Sequence, residues 1–322
     1  MIASFAPMEG LTSHIYRRTH ARFFPGVDRY YAPFLAPDGQ GKVKASALRD
    51  LDPELNRDLS LVPQILCNRP EAFLALSREL EAMGYREVNL NAGCPSGTVV
   101  PKHKGAGMLA DLDSLDRFLA EVFSACPLRV SVKTRLGMES GAEFPRILEV
   151  YNRYPLSELI VHARPRDGMY RSTPELGPFA LALAESRAPV CYNGNVLNRK
   201  AYEKVLLSFP GLDRLMLGRG AIANPALFRV LRGGTALEAQ ELRAFLDALC
   251  AAFRENGLQE RLILGRLKEL WYYVNHMFPG AERELKQLNK ARSLSDYDSA
   301  VGLLFASGRF DPDAAFPGAL PE

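Results

Sequence analysis

The sequence predicts an α/β fold, a (β/α)8 TIM barrel followed by a small C-terminal helical domain. Three observations carry the prediction. Eight short, β-rich apolar runs alternate with helix-like stretches, their starts lie 25–43 residues apart, and beyond about residue 230 no further strand-like run occurs. Such spacings leave room for the crossover helix that consecutive parallel strands require. A doubly wound sheet obeys the same local pattern, because closure of a sheet is not visible in periodicity.

The elements follow in order. The first run is IASFA (2–6), then DRYYAPFL (28–35) and LVPQILC (61–67). Stretch 70–83, PEAFLALSRELEAM, opens with proline where a first-turn N–H needs no partner and closes before Gly84, which reads as a helix. REVNLN (86–91) is the fourth strand, and 112–124 carries apolar residues at helical spacing. RVSVKTR (129–135), SELIVH (157–162), APVCYN (188–193) and DRLMLG (213–218) complete the set. The Gly233-Gly234 pair marks a boundary between a barrel of residues 1–232 and a helical domain of residues 235–322, in which 237–256 and 260–278 have helical period.

Composition narrows the class. The chain has 322 residues, 47% hydrophobic and 24% charged, which excludes collagen-like and disordered proteins. No stretch approaches the ~18 apolar residues of a transmembrane helix. The start, MIASFAPMEG, lacks a basic segment and reaches Glu9 before an apolar one could form, so no secretory signal is expected. Five cysteines, odd in number and scattered, fit a reducing cytoplasm better than a disulfide framework. A net charge of +3 permits an anionic partner without demanding one.

A barrel of this kind places its chemistry at the carboxyl ends of the strands. Strand four runs into the longest inter-strand segment, NLNAGCPSGTVVPKHKGAGML, where Cys94 sits between Gly93 and Pro95 with Lys102, His103 and Lys104 nearby in sequence. A thiol in such a turn can exchange protons, although an incidental loop cysteine accounts for the position equally well. Strand five ends around Lys133, whose charge at a barrel mouth asks for an anionic partner. His162 ends strand six and Gln64 lies on strand three; either could also be a satisfied core or rim group. Strands seven and eight end in Asn193-Gly194-Asn195 and Gly218-Arg219-Gly220. The loops after these two strands often form a barrel's phosphate site, where glycines allow close backbone approach and an arginine adds charge. Together these residues predict a barrel holding a phosphorylated cofactor. No metal-ligand spacing is evident.

Seven collinear segments carry a resemblance to a known family: APMEGLT (6–12), VPQILC (62–67), VNLNAGCPSGTVVPKHKGAGML (88–109), VSVKTRLG (130–137), VHARPRDGMYR (161–171), NGN (193–195) and LGRGAIANP (217–225). The chain resembles the tRNA-dihydrouridine synthases, FMN-dependent barrel enzymes, over nearly its whole length. The resemblance implies tightly bound FMN, NADPH as transient reductant, and tRNA as substrate. In the implied reaction hydride passes from flavin N5 to C6 of a uridine and Cys94, as general acid, gives a proton to C5. Pro7, Met8 and Glu9 would pack by the flavin ring, Gln64 and Lys133 would meet its polar edge, and His162 would sit beside the cofactor. Asn193, Gly194, Asn195, Gly218 and Arg219 would hold the phosphate and ribityl chain. Asn91 would help position the substrate base, which must leave its stack to be reached.

The tail resembles the family's helical RNA-binding domain. Residues 261–292 hold seven Lys or Arg against three Glu, while 293–322 hold one Arg against five acids. Arg266, Lys268, Lys286 and Lys290, with Lys102, Lys104, Arg164, Arg166 and Arg171 from the mouth loops, would form a phosphate-tracking surface. Two departures from the family pattern stand out: Asn195 where many members carry an acid, and HARPRDG in place of a commoner HGRTR-type run. The chain is expected to act as a monomer without an obligate protein partner. A dihydroorotate dehydrogenase-like FMN barrel and a non-catalytic tRNA-binding protein are the alternatives. The first leaves the basic tail unexplained, and the second leaves Cys94 so.

Overall fold

The computed structural model describes residues 1–169, 171–314, 316 and 317; Tyr170 of the segment after the sixth expected strand, Ala315 and residues 318–322 lie outside the described residues. The strands are β1 (Ile2–Phe5), β2 (Arg29–Tyr31), β3 (Leu61–Val62), β4 (Gln64–Ile65), β5 (Glu87–Ala92), β6 (Arg129–Arg135), β7 (Leu159–His162), β8 (Val190–Asn193) and β9 (Arg214–Leu217). All pairs are parallel, in the order β3-β2-β1-β9-β8-β7-β6-β5-β4.

The two ends of that order, β3 and β4, are halves of the one strand expected over 61–67. Pro63, which has no N–H to give a ladder, parts them. On one side Val62 accepts the Ala32 N–H at 3.0 Å, and on the other the Pro63 carbonyl accepts the Asn89 N–H at 2.9 Å. The ring therefore closes through the broken strand, and the architecture is the (β/α)8 barrel with added C-terminal helices. The strand expected over 28–35 is likewise shorter: it pairs over Arg29–Tyr31, and beyond Pro33 only a single bridge joins Leu35 to Ile65.

The connecting helices are α1 (His14–Phe23), α2 (Ala45–Arg49), α3 (Pro70–Ala82), α4 (Leu112–Ala125), α5 (Phe144–Tyr151), α6 (Leu176–Glu185), α7 (Arg199–Ser208), α8 (Arg219–Ala223) and α9 (Leu227–Leu231). Their starts follow local chemistry. Pro70 occupies the first turn of α3, Asp111 caps α4 by accepting the Ser114 N–H at 3.0 Å, and Asn198 caps α7 through Ala201 at 2.9 Å. In α4 the stripe Leu115, Phe118, Leu119 and Val122 is buried, the spacing of a single helical face.

Beyond the barrel come α10 (Ala239–Glu255), α11 (Glu260–Val274), α12 (Glu282–Lys290) and α13 (Leu294–Ala306). The helix expected over 260–278 ends at Val274 and passes into a 3-10 turn over Asn275–Met277. The short, polar α12 was not resolved by periodicity; α13 starts at a reciprocal cap in which Ser293 and Asp296 each accept the other's N–H. These helices pack on the barrel, α10 against α1 and α11 against α8.

Inside the barrel, Ala6, Tyr31, Val62, Ile160, Cys191 and Met216 form a small buried cluster of their own. Below it the amino ends of the strands are tied by charge. Glu158, with no exposure, accepts from Tyr31 Oη at 2.7 Å and Arg214 Nη1 at 3.1 Å, while Arg29 pairs with Glu87 at 2.7 Å. The opposite end, above the cluster, is left for chemistry. Among the described residues no helix is long and apolar enough to cross a membrane.

Candidate active site

The inward positions of β4, β5 and β6 are polar and mutually satisfied. Gln64 donates to Asn89 Oδ1 at 2.7 Å, Asn89 donates to Ser131 Oγ at 2.9 Å, and Asn91 donates to Gln64 Oε1 at 2.8 Å. Period-two alternation along β5 brings Asn89 and Asn91 to one face, and the register sets Asn91 beside Lys133 of β6. The other end of Asn91 holds the next turn: its Oδ1 accepts the N–H groups of Gly93 at 3.1 Å and Cys94 at 2.9 Å. Asn91, expected to position the substrate base, thus also fixes the backbone from which Cys94 projects and the amide of Gln64.

Cys94 is half-buried, less open than its turn-like sequence implied. Burial is the main cause that raises its thiol above the ordinary range, with Glu9 adding to it and Ser96, Arg135 and Lys133 opposing. The thiol is the neutral-pH form. The loop behind it folds back so that Ala106 donates to the Cys94 carbonyl at 3.0 Å. Gly105 lies at φ +58, and a Cβ there would meet the Cys94 carbonyl oxygen at 2.8 Å, which explains a glycine at that position.

Across the mouth, a cleft is lined by Pro7, Met8, Lys133, His162, Gly194 and Arg219 together with neighbouring residues. The Lys133 ammonium makes no hydrogen bond or ion pair among the described residues. Burial, then Arg135, pushes its ammonium down to about 8. His162, level with Arg135 on β6 and with Asn193 on β8, is held well below the usual imidazole range by burial and by Arg135, Lys133, Arg164 and Arg219. It is neutral at pH 7, set in a ring of cations. Asn193 donates to the Met216 carbonyl at 2.9 Å and so ties β8 to β9. Gly218 directs its Cα face at Ala6 and Met8, whose atoms lie 3.4 Å from a Cβ built there. Glu9 is exposed at the rim.

The expected substrate-facing residues divide. Arg164 is not on the surface: it has no exposure, donates to the Ser172 carbonyl at 2.5 Å and to Asn195 Oδ1 at 3.1 Å, and lies 3.2 Å from His162 Nε2. The structure therefore corrects its placement to the interior, packed beside His162 and Asn195. Lys268 is also engaged, donating to the carbonyls of Asn289 at 2.9 Å and Ala291 at 2.6 Å at the end of α12, the position where a cation satisfies orphan carbonyls. Arg266 donates to the Gly10 carbonyl and pairs with Glu269, joining α11 to the turn after Glu9. Lys104 reaches the Pro37 carbonyl at 3.3 Å, and Arg166 pairs with Asp167 at 2.7 Å. Lys102, Arg171, Lys286 and Lys290 are exposed.

One residue of the site escaped the sequence. Arg135, 1% exposed, donates to Gly93 of the Cys94 turn and to Pro165 and Met169 of the loop after β7. The available signal was alternation, which puts Arg135 on the same face of β6 as Lys133. Among the described residues no cluster of three or more His, Cys, Asp or Glu side chains is placed to hold a metal ion.

This donor set suits a phosphorylated flavin: a lysine lacking an acceptor, the primary amide of Asn91 at the same level, a cation-ringed neutral histidine, and glycines in the cleft lining. The chain is also similar to known proteins. A tRNA-dihydrouridine(16) synthase of Ralstonia nicotianae is 28% identical over 313 residues, covering 93% of this chain and 94% of the relative. A Staphylococcus aureus (strain COL) protein named "Probable tRNA-dihydrouridine synthase" is 29% identical over 303 residues, 90% of this chain and 89% of its own. The tRNA-dihydrouridine synthase B of Pasteurella multocida is 24% identical over 280 residues, 86% and 78% respectively. The profile of the dihydrouridine synthase (Dus) family matches residues 4–297, from β1 into α13, and the chain belongs to that family.

Proposed function

We propose that the protein reduces the C5=C6 bond of uridine in tRNA to 5,6-dihydrouridine, as an FMN-dependent enzyme re-reduced by NADPH. The observation that carries the reading is the pairing of one protonated thiol, Cys94, fixed by Asn91, with a cation-lined cleft at the same barrel mouth. Bound FMN supplies the hydride for C6, chemistry that side chains lack.

The chain's own residues do the rest. Lys133 and Gln64 hold the polar edge of the flavin, and Lys133 offers a positive charge where negative charge develops. Pro7 and Met8 pack against the ring, Glu9 lies at the rim, and Asn193, Gly194, Asn195, Gly218 and Arg219, with neutral His162 beside them, hold the ribityl-phosphate end. Asn91 keeps Cys94 aimed into the mouth. Cys94 Sγ gives its proton to C5 as C6 takes the hydride, so the base gains two hydrogens and the thiol is restored from solvent. Arg135 keeps the Cys94 turn and the 165–169 loop together while the uridine is out of its stack.

The barrel, residues 1–232, would hold the flavin, and residues 235–322 would bind tRNA through Lys286 and Lys290 with the mouth-loop cations Lys102, Lys104, Arg166 and Arg171. The protein would work as a cytoplasmic monomer. Dihydrouridine mapping of tRNA from cells with and without the gene tests the reaction and identifies the uridine. Unchanged dihydrouridine at every position, in cells with no redundant enzyme, would overturn the reading. A colourless protein that takes up no flavin would remove its cofactor.

A further inference from the structure

The turn between β1 and α1 carries Met8 into the cleft and Glu9 to its rim. Its base is tied within the barrel. The Met8 carbonyl accepts the N–H groups of Leu11 at 3.1 Å and Thr12 at 3.0 Å, and Thr12 Oγ1 accepts the Met8 N–H at 2.9 Å. Buried Arg17 donates to the Thr12 carbonyl at 2.7 Å. The apex is tied instead from the C-terminal helices. Gly10, at φ +84, gives its carbonyl to Arg266 Nη1 of α11, and Glu269, about one turn further along, pairs with that guanidinium at 3.4 Å. A Cβ on Gly10 would stand 2.9 Å from Arg266 Nη1 and 3.3 Å from Glu269 Oε1, so glycine makes the contact possible. Two residues on, and so roughly 200° around the helix, Lys268 donates to the carbonyls of Asn289 and Ala291. Helix α11 thus joins the end of α12 on one side to the Met8–Glu9 turn on the other.

We infer that Arg266 is a positioning residue for the reaction: it holds the apex of this turn and thereby sets Met8 in the cleft and Glu9 at the rim where the uridine enters. The inference rests on the flavin and tRNA reading above. An arginine in a basic stretch reads first as a phosphate contact, but this guanidinium is committed to a carbonyl and a carboxylate. What moves with the turn is chemical. Met8 Sδ lies 3.4 Å from a Cβ built on Gly218, which places the side chain against the cleft wall. Glu9 adds to burial in raising the Cys94 thiol. A turn freed at its apex would shift both, and small displacements at a reacting centre are costly in rate.

The test compares full-length, flavin-loaded wild type, Arg266→Met, Gly10→Ala and the double variant. Total tRNA from cells lacking the gene is the substrate: its affinity is measured across a salt series, and reoxidation of reduced flavin is timed at saturating tRNA. Arg266→Met should shift the visible flavin bands and slow reoxidation about tenfold, with tRNA affinity and its salt slope unchanged. Gly10→Ala, which strains a positive φ and displaces the guanidinium, should do the same. The double variant should be no slower than the slower single one, because two residues that act through one contact are not additive. Weaker tRNA binding with a flatter salt slope and an unchanged saturating rate in Arg266→Met would make Arg266 a phosphate contact and overturn the inference. Unchanged flavin bands and rate, or losses that multiply in the double variant, would also overturn it. Wild-type flavin that tRNA does not reoxidise would overturn the tRNA reading itself, and this inference with it.

Discussion

Arg135 Nε donates to the carbonyl of Gly93 at 2.9 Å, the residue before Cys94, so the end of β6 holds the turn that carries the thiol. Its Nη1 reaches Pro165 and Met169 at 3.0 and 3.1 Å. Hydrogen bonds from a charged donor contribute about 1.5–3 kcal/mol each. Arg135→Leu should leave three carbonyls without this donor and loosen both loops. The expected result is faster proteolysis within 94–107 and 165–172 and a fall in tRNA turnover of about tenfold or more, with the barrel's circular dichroism intact. Unaltered cleavage of both loops would show that other contacts hold them.

Replacing Cys94 separates chemistry from cofactor binding. Cys94→Ala should keep bound flavin and lose about 10²–10⁴-fold in tRNA reduction, the usual worth of a positioned general acid. The pH profile gives a second check. Burial raises the thiol, so the active, protonated form should persist above the ordinary thiol range of about 8.5. Activity should therefore stay level through neutral pH and fall only in alkali. Wild-type-like turnover of Cys94→Ala, measured as dihydrouridine formed in purified tRNA, would remove the assignment.

The basic residues of the tail should behave as two groups. Lys286 and Lys290, exposed and one helical turn apart on α12, are the tail residues proposed to meet phosphates. Reversing both to Glu should weaken tRNA binding and flatten its salt dependence. Lys268 instead satisfies the carbonyls of Asn289 and Ala291. Lys268→Met should lower thermal stability and change the salt slope little. Filter binding across a salt series, with thermal unfolding of the same variants, distinguishes the two roles.

How far the sequence revealed the site follows from what kind of information each residue needs. Cys94, Lys133 and His162 sit at strand ends, and strand ends are local: alternation and the turn residues beyond them mark the mouth before any tertiary contact is known. Pro63 is also local, yet its consequence, a strand split between two neighbours, depends on the closing of the ring. Arg164 and Lys268 show the opposite case. An arginine or lysine in a loop reads as solvent-facing because isolated burial of its charge is costly. What buries Arg164 is Ser172 and Asn195, and what occupies Lys268 is the end of another helix. These partners lie 8 to 31 residues away and come near only through the fold. Arg135 falls between: its face was predictable from Lys133, its three carbonyl partners were not.

Glu158 tests the closed end of the barrel. It has no exposure and gathers Tyr31, Arg29 and Arg214 from β2 and β9. Removing one member of a buried charge cluster leaves the others paired poorly, at about 3–5 kcal/mol. Glu158→Gln should lower the unfolding free energy read from urea titration by that order without changing flavin affinity, since the cluster Ala6, Tyr31, Val62, Ile160, Cys191 and Met216 separates it from the mouth. A loss of flavin affinity as large as the loss of stability would show the two ends to be coupled.

Lys133 gives the pH dependence of the flavin-free protein. Burial, then Arg135, pushes its ammonium down to about 8, against about 10.4 for lysine in an unfolded chain. Below 8 both states carry the proton and the cost of burying the charge is complete. Between 8 and about 10.4 the unfolded chain binds more protons than the folded one, so stability rises with pH through that window and levels off above it. Wild type should thus gain stability relative to Lys133→Met between pH 8 and pH 10, read from paired urea titrations. A flavin edge that accepts a hydrogen bond from the ammonium raises its pKa again. Flavin binding near pH 9 should then take up a proton, seen calorimetrically as a heat that changes with the buffer's ionisation enthalpy, and Lys133→Met should abolish that uptake. Identical heats in buffers of different ionisation enthalpy would mean that Lys133 does not change its protonation when the flavin binds.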